Sequence, residues 1–126
     1  MASGGAVGSV LRYAVAGITQ RLYSTGGSAA VSFPVGTLVV NVTGSFLIGL
    51  LMGLAESRAV LTAETRLLLV TGLLGGYTTF SAFSLETLML FRAGQTGTAL
   101  SSVVLQVLLG VAAAFAGFTA GMPARP

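Results

Sequence analysis

Cysteine, histidine, lysine and aspartate are all absent from this chain of 126 residues. Without cysteine there is no disulfide, no thiolate nucleophile and no cysteine-based metal site. Without histidine the commonest general base and the commonest zinc ligand are both missing. The acids are three glutamates, Glu56, Glu64 and Glu86, and no two of them are close in sequence. Little is left for acid–base or nucleophilic chemistry, so the chain reads as a protein that is not an enzyme. Six arginines carry all the positive charge and give a net charge of +3 and an isoelectric point near 10.2. Scattered through an apolar chain, they form no basic patch, and a nucleic-acid-binding reading is set aside. They suit the headgroup level of a membrane.

Charge of either sign is scarce, at 7% of residues. Soluble domains carry about a quarter. Hydrophobic residues make up 54% and the mean hydropathy is +0.94. The class is therefore an all-α integral membrane protein. The opening stretch MASGGAVGSVLRY has no positive region ahead of its apolar residues, so it is expected to be a retained helix and not a cleaved signal peptide.

A membrane-spanning helix needs about 20 mostly apolar residues. Four stretches supply them: 3–23, which contains Arg12; 34–55; 65–92; and 97–121. Ser32 is the expected N-cap of the second and Pro34 its expected first-turn residue. The connections STGGSAAVSF, ESRAVLTAE and AGQTG are short, and the tail MPARP is shorter still. There is no room for a soluble domain, so the expected organisation is one four-helix membrane domain over residues 1–126. With four spans, Arg58, Arg66 and Arg125 fall on one side and Arg21 and Arg92 on the other. So near a balance gives no orientation by the positive-inside rule. Two readings stand: noise in a small count, or a chain that inserts both ways and pairs as an antiparallel dimer.

Small residues recur at helical spacing. Ser45, Gly49 and Gly53 share one face of the second helix; Gly110 with Ala114, and Gly117 with Gly121, do so in the fourth. Such faces let helix backbones approach closely, within a subunit or between two. Polar stripes share the spacing. Thr37, Asn41 and Ser45 lie on one stripe of the second helix, and Ser102 and Gln106 on one stripe of the fourth. They serve either interhelical hydrogen bonding or a lining of donors for a solute. Donor-rich stripes with almost no full charge point to an anion path, because cation paths more often show rings of Asp or Glu. Asn41 begins the glycosylation pattern NVT, which in mid-membrane is a chance match. Arg12 and Glu86 are costly at depth unless they pair or are hydrated.

The third stretch contains GGYTTFSAF, residues 75–83. Adjacent glycines disfavour helix, and threonine hydroxyls compete for backbone hydrogen bonds. A helix broken here exposes carbonyl oxygens and the negative end of a half-helix, a cation site that needs no carboxylate. Phe80 and Phe83 then share a face of the second half. Two phenylalanines so placed serve packing, or they present positive ring edges to a small anion near Asn41.

Three motifs, GGAVGSVLRY (4–13), GTLVVNVTGSF (36–46) and GGYTTFSAF (75–83), resemble in order and spacing those of the bacterial fluoride channels, the Fluc (CrcB) family. The resemblance covers essentially the whole chain. It implies passive fluoride export across the cytoplasmic membrane by an antiparallel, dual-topology homodimer whose third helices break and cross at the centre. It implies a structural sodium ion at that crossing, held by the backbone carbonyls of Gly75 and Thr78 of each subunit. It implies a fluoride path along Asn41, Phe80 and Phe83, with Ser81 and Glu86 along the polar side and Arg12 near a vestibule; the Thr79 hydroxyl is read as a further donor on that path, and the fourth-helix stripe of Ser102 and Gln106 as part of its lining. Two departures stand out: Ala82 replaces a threonine of the family's TTFSTF, and Ser102 and Gln106 align with positions that carry tyrosine and serine in relatives. Two other readings differ in kind. A proton-coupled exporter of the small multidrug type requires a carboxylate in the first helix, where none exists. A purely structural subunit has no need of a broken helix.

Overall fold

The structure is a computed structural model that describes residues 1–24, 32–58 and 61–123. Most of the first connection, residues 59 and 60 of the second, and the tail with Arg125 lie outside the described residues. Within them every regular element is helical: α1 (Ala2–Tyr23), α2 (Val35–Arg58), α3 (Ala63–Arg66), a π-helical segment (Leu67–Leu74), α4 (Gly75–Tyr77), α5 (Phe80–Arg92) and α6 (Thr96–Gly121). The run from α3 through α4 has no gap, so these pieces form the first half of one span and α5 the second half. Among the described residues three helical runs are long and apolar enough to cross a membrane: Val35–Ser57, Ala63–Arg92 and Thr96–Gly121. α1 has the length, at 22 residues, but lies outside that group.

The ends follow local chemistry. Thr62 caps α3, its hydroxyl accepting from the Thr65 amide at 3.2 Å. Gly94, at φ 76°, makes the left-handed turn that joins α5 to α6. The start of α2 differs from expectation. Pro34 stands just outside the helix and its carbonyl accepts from the Leu38 amide at 3.2 Å. The Ser32 hydroxyl is engaged by α1, accepting from Gln20 Nε2 at 3.1 Å. Gln20 in fact ties the start of α2 to α1: its Nε2 also donates to Phe33 O at 3.1 Å, and its Oε1 accepts from the Gly36 amide at 3.1 Å.

α2 packs chiefly on α6, and glycine decides how closely. A methyl group at Gly49 would overlap the Ala114 carbonyl, and one at Gly117 would overlap the Phe46 carbonyl. The small-residue faces of the two helices thus meet backbone to backbone within one chain, which is the packing role of the two open readings. Ser57 Oγ donates to Gly121 O at 3.0 Å and closes the far end of the same contact. α1 packs in a similar way on the first half of the third span. A Cβ at Gly8 would overlap Leu73 O, and one at Gly76 would come within 2.6 Å of Gly5 O. Few large side chains are fully enclosed; Val40 and Leu90 are. Many others, including Val10, Leu108 and Phe115, face outward, as suits a chain whose solvent is lipid.

The third span does break, but not at its glycines. Gly75 is helical, at φ −62° and ψ −36°, and α4 runs on through Tyr77. The chain extends at Thr78 (ψ 156°) and Thr79 (φ −151°, ψ 118°). The glycine pair contributes differently: at Gly76 the lack of a side chain admits α1. The break falls two residues later, where side chains offer the backbone other partners.

Candidate functional site

The break is held open by those partners. The Asn41 side chain pairs with the Thr79 backbone in both directions: Oδ1 accepts from Thr79 N at 2.8 Å, and Nδ2 donates to Thr79 O at 2.9 Å. A side-chain amide thereby takes the place of a backbone neighbour, which is what extended backbone at membrane depth requires. Thr79 Oγ1 caps α5 by accepting from Ala82 N at 3.1 Å. Thr78 N and Thr78 Oγ1 both donate to Leu74 O, at 2.9 and 3.0 Å, and close the last turn of the first half. Gly44 leaves room for Thr78 and Tyr77 against α2.

Asn41 also donates to Gln106 Oε1 at 3.1 Å. With its carbonyl so committed, Gln106 has Nε2 buried and without a partner, and the residue is only 8% exposed. Asn41, Thr78, Thr79 and Gln106 line one cleft of about 290 Å³ with Phe80 and Phe83. The two rings are 5.5 Å apart between centroids and tilted at 58°. The aromatic quadrupole is positive at the ring edge, and both rings border the cleft. Phe80 is 78% exposed, so one wall of the cleft stands open. Ile48, Val107 and Gly110 complete an apolar lining. The cleft is therefore bordered by two side-chain amides, two phenylalanines and no full charge, a combination suited to a small anion that must shed water without being gripped.

Glu86 sits apart from this cleft. Its Oε1 accepts from Thr37 Oγ1 at 2.7 Å, while Oε2 is buried without a partner. Arg12, Thr37, Ala82, Glu86 and Thr79 line a second cavity of about 450 Å³. Among the described residues no ion pair joins Arg12 to Glu86; instead Arg12 Nη1 reaches Thr78 O at 3.5 Å, the outer limit of a hydrogen bond. The two charges border one cavity without pairing. Thr79 lines both cavities and links them. A third cavity of about 370 Å³, lined in part by Gln20, also borders Thr37 and Glu86.

Two further residues of the expected path lie elsewhere. Ser81 is exposed, its hydroxyl 3.3 Å from Thr79 Oγ1, and it is not part of the cleft lining. Ser102 is 1% exposed with its Oγ unpartnered, one helical turn before Gln106 and also outside the lining. Gln20 was not legible as a site residue, because a single amide near a helix end carries no pattern. Gly44 and Gly8 were equally silent, since nothing in a glycine's neighbours along the chain says which backbone will press on it.

The carbonyls named for a cation can be tested against their surroundings. In a continuous helix the amide of residue i+4 bonds the carbonyl of residue i. The amide due to Gly75 O is that of Thr79, which donates to Asn41; the amide due to Thr78 O is that of Ala82, which donates to Thr79 Oγ1. Neither oxygen takes its helical amide: the Gly75 oxygen is left as an acceptor at the negative end of a half-helix, as a small hard cation requires, while the Thr78 oxygen has Arg12 Nη1 at 3.5 Å and keeps one lone pair for a cation.

Comparison with known proteins gives a consistent picture. Residues 1–118 match the family described as CrcB-like protein, Camphor Resistance (CrcB). A protein of Agrobacterium fabrum named fluoride-specific ion channel FluC is 47% identical over 121 residues, 96% of this chain and 92% of that protein. One of Rhizobium meliloti with the same name is 50% identical over 116 residues, 91% of this chain and 87% of that one. A third, of Thermus thermophilus, is 46% identical over 121 residues, 96% of this chain and 91% of its own length.

Proposed function

The chain belongs to the CrcB family, and from that premise we propose that it is a fluoride-specific channel giving passive fluoride export. It is a multi-pass membrane protein and not an enzyme. The observation that carries the proposal is the cleft at the helix break, where Gln106, whose Nε2 is enclosed without a partner, lines the same space as Asn41, Phe80 and Phe83. Fluoride is small and strongly hydrated, so a path for it must replace water with N–H and O–H donors and weakly positive ring edges. The anion passes from the cavity of Arg12 and Glu86, past Thr79, to the cleft of Asn41 and Gln106. Hydrogen fluoride that enters a less acidic cell dissociates there, and the channel lets the ion leave down its electrochemical gradient.

The working unit on this reading is an antiparallel homodimer in the cytoplasmic membrane, with α1 as a fourth span of a single domain. The exposure of Phe80 supports it: a ring 78% uncovered beside a polar cleft is a wall awaiting a second subunit. Two breaks meeting at the dimer centre bring together the Gly75 and Thr78 carbonyls of both chains. Those carbonyls would hold a sodium ion, which would supply positive charge where the two breaks meet. The test is fluoride efflux from liposomes containing the purified protein. Selective efflux above that of empty liposomes is expected, and efflux no greater than theirs would remove the channel reading.

A further inference from the structure

A broken helix ends with several free carbonyls, yet only particular ones can be held free and correctly aimed. The amides of Thr79 and Ala82 lie close enough in sequence to return to Gly75 O and Thr78 O and restore the helix. Each is drawn away by a side chain: Thr79 N by Asn41 Oδ1 at 2.8 Å, and Ala82 N by Thr79 Oγ1 at 3.1 Å. Asn41 reaches from another helix, 38 residues away in sequence, so its hold does not depend on local backbone preference. Its nitrogen meanwhile donates to Thr79 O and to Gln106 Oε1 on the cleft side. One amide therefore has its two ends on different tasks.

We propose that Asn41 and the Thr79 hydroxyl are positioning residues for the monovalent cation, diverting the two amides that would otherwise occupy the Gly75 and Thr78 carbonyls. This rests on reading the break as a sodium site. Asn41 Oδ1 keeps the Thr79 amide off the Gly75 oxygen, and Thr79 Oγ1 keeps the Ala82 amide off the Thr78 oxygen, whose remaining hydrogen-bond partner among the described residues is Arg12 Nη1 at 3.5 Å. Asn41 Nδ2 serves the anion cleft. Occupancy of the cation site and the geometry of the anion path are thus set by opposite ends of the same side chain.

Substitutions that separate the two ends test this. The readout is the sodium concentration that gives half of the sodium-dependent rise in melting temperature of the purified protein in detergent, with N-methylglucamine chloride holding ionic strength constant. Asn41→Ala frees Thr79 N to return to Gly75 O, and the midpoint rises about 2- to 10-fold, the scale of one net backbone hydrogen bond. Asn41→Asp keeps an acceptor for Thr79 N but loses both donated bonds, so the midpoint stays at or below the native value while fluoride efflux is lost. Thr79→Val raises the midpoint and Thr79→Ser restores it, which carries the test should Asn41→Ala not fold. A native midpoint in Asn41→Ala or Thr79→Val, with melting lowered equally in both salts, would show a merely structural role and overturn the proposal. If the native protein gains nothing from sodium over N-methylglucamine, the cation reading itself fails, and that outcome is distinct from an unchanged midpoint.

Discussion

The Asn41 amide donates to Gln106 Oε1 at 3.1 Å, and this bond between α2 and α6 leaves the glutamine nitrogen unpartnered at the cleft. The orientation of Gln106 is therefore set by its neighbour. Gln106→Glu puts a carboxylate where an N–H donor stood, and like charge excludes an anion. Fluoride efflux from liposomes, followed with a fluoride electrode, is expected to fall below detection. Gln106→Leu removes the donor without adding charge and should slow efflux by about 2- to 10-fold, the worth of one hydrogen bond. Equal rates in all three proteins would remove Gln106 from the path.

Phe80 and Phe83 act through their ring edges on this reading, so an aliphatic replacement of similar size removes the interaction and keeps the bulk. Phe80→Ile and Phe83→Ile should each abolish fluoride efflux. Because Phe80 is 78% exposed, its substitution should shift stability by only a few tenths of a kcal/mol in the isolated chain. Size-exclusion chromatography should show the same oligomer for both variants. Undiminished efflux from either would sink the assignment of that ring to the path.

Thr37 is 5% exposed and donates at 2.7 Å to the one Glu86 oxygen that has a partner. Thr37→Val leaves a buried carboxylate with neither oxygen satisfied. A stability loss of about 1–3 kcal/mol is expected, read as a lower melting temperature. Combining it with Glu86→Gln should return part of that loss, since a neutral amide is less costly to strand. Additive losses in the double variant would argue against the pairing.

The packing of α2 on α6 leaves no room for a side chain at Gly49 or Gly117. Gly49→Val and Gly117→Val should abolish recovery of folded protein, because the clash is with backbone carbonyls that cannot turn aside. Gly97→Ala is the control, with nothing within 4 Å of a new methyl group, and should behave as the native chain. Gly94→Ala lies between these, its φ of 76° imposing about 1–2 kcal/mol of backbone strain.

Composition alone settled the membrane class: 7% charge and 54% hydrophobic residues leave no soluble alternative. Periodicity placed the helices to within a few residues, because apolar length is a property of the chain itself. The existence of a break in the third span was equally local, written in GGYTTFSAF. Its position was not. Intrinsic propensity points at Gly75 and Gly76, yet the chain opens at Thr78 and Thr79 because Asn41, on another helix, supplies the backbone with partners there. The small-residue stripes likewise announced close approach without naming the partner; only the packed chain shows Gly49 against Ala114 and Gly8 against Leu73. Arg12 and Glu86 were visible as expensive charges, but whether they pair depends on distances no sequence contains. What the sequence by itself determined were the quantities that sum along one strand: hydrophobicity, helix length, a local weakness. Tertiary structure decided which backbone amide meets which acceptor, since a hydrogen bond is a relation between segments and its geometry exists only once they are packed.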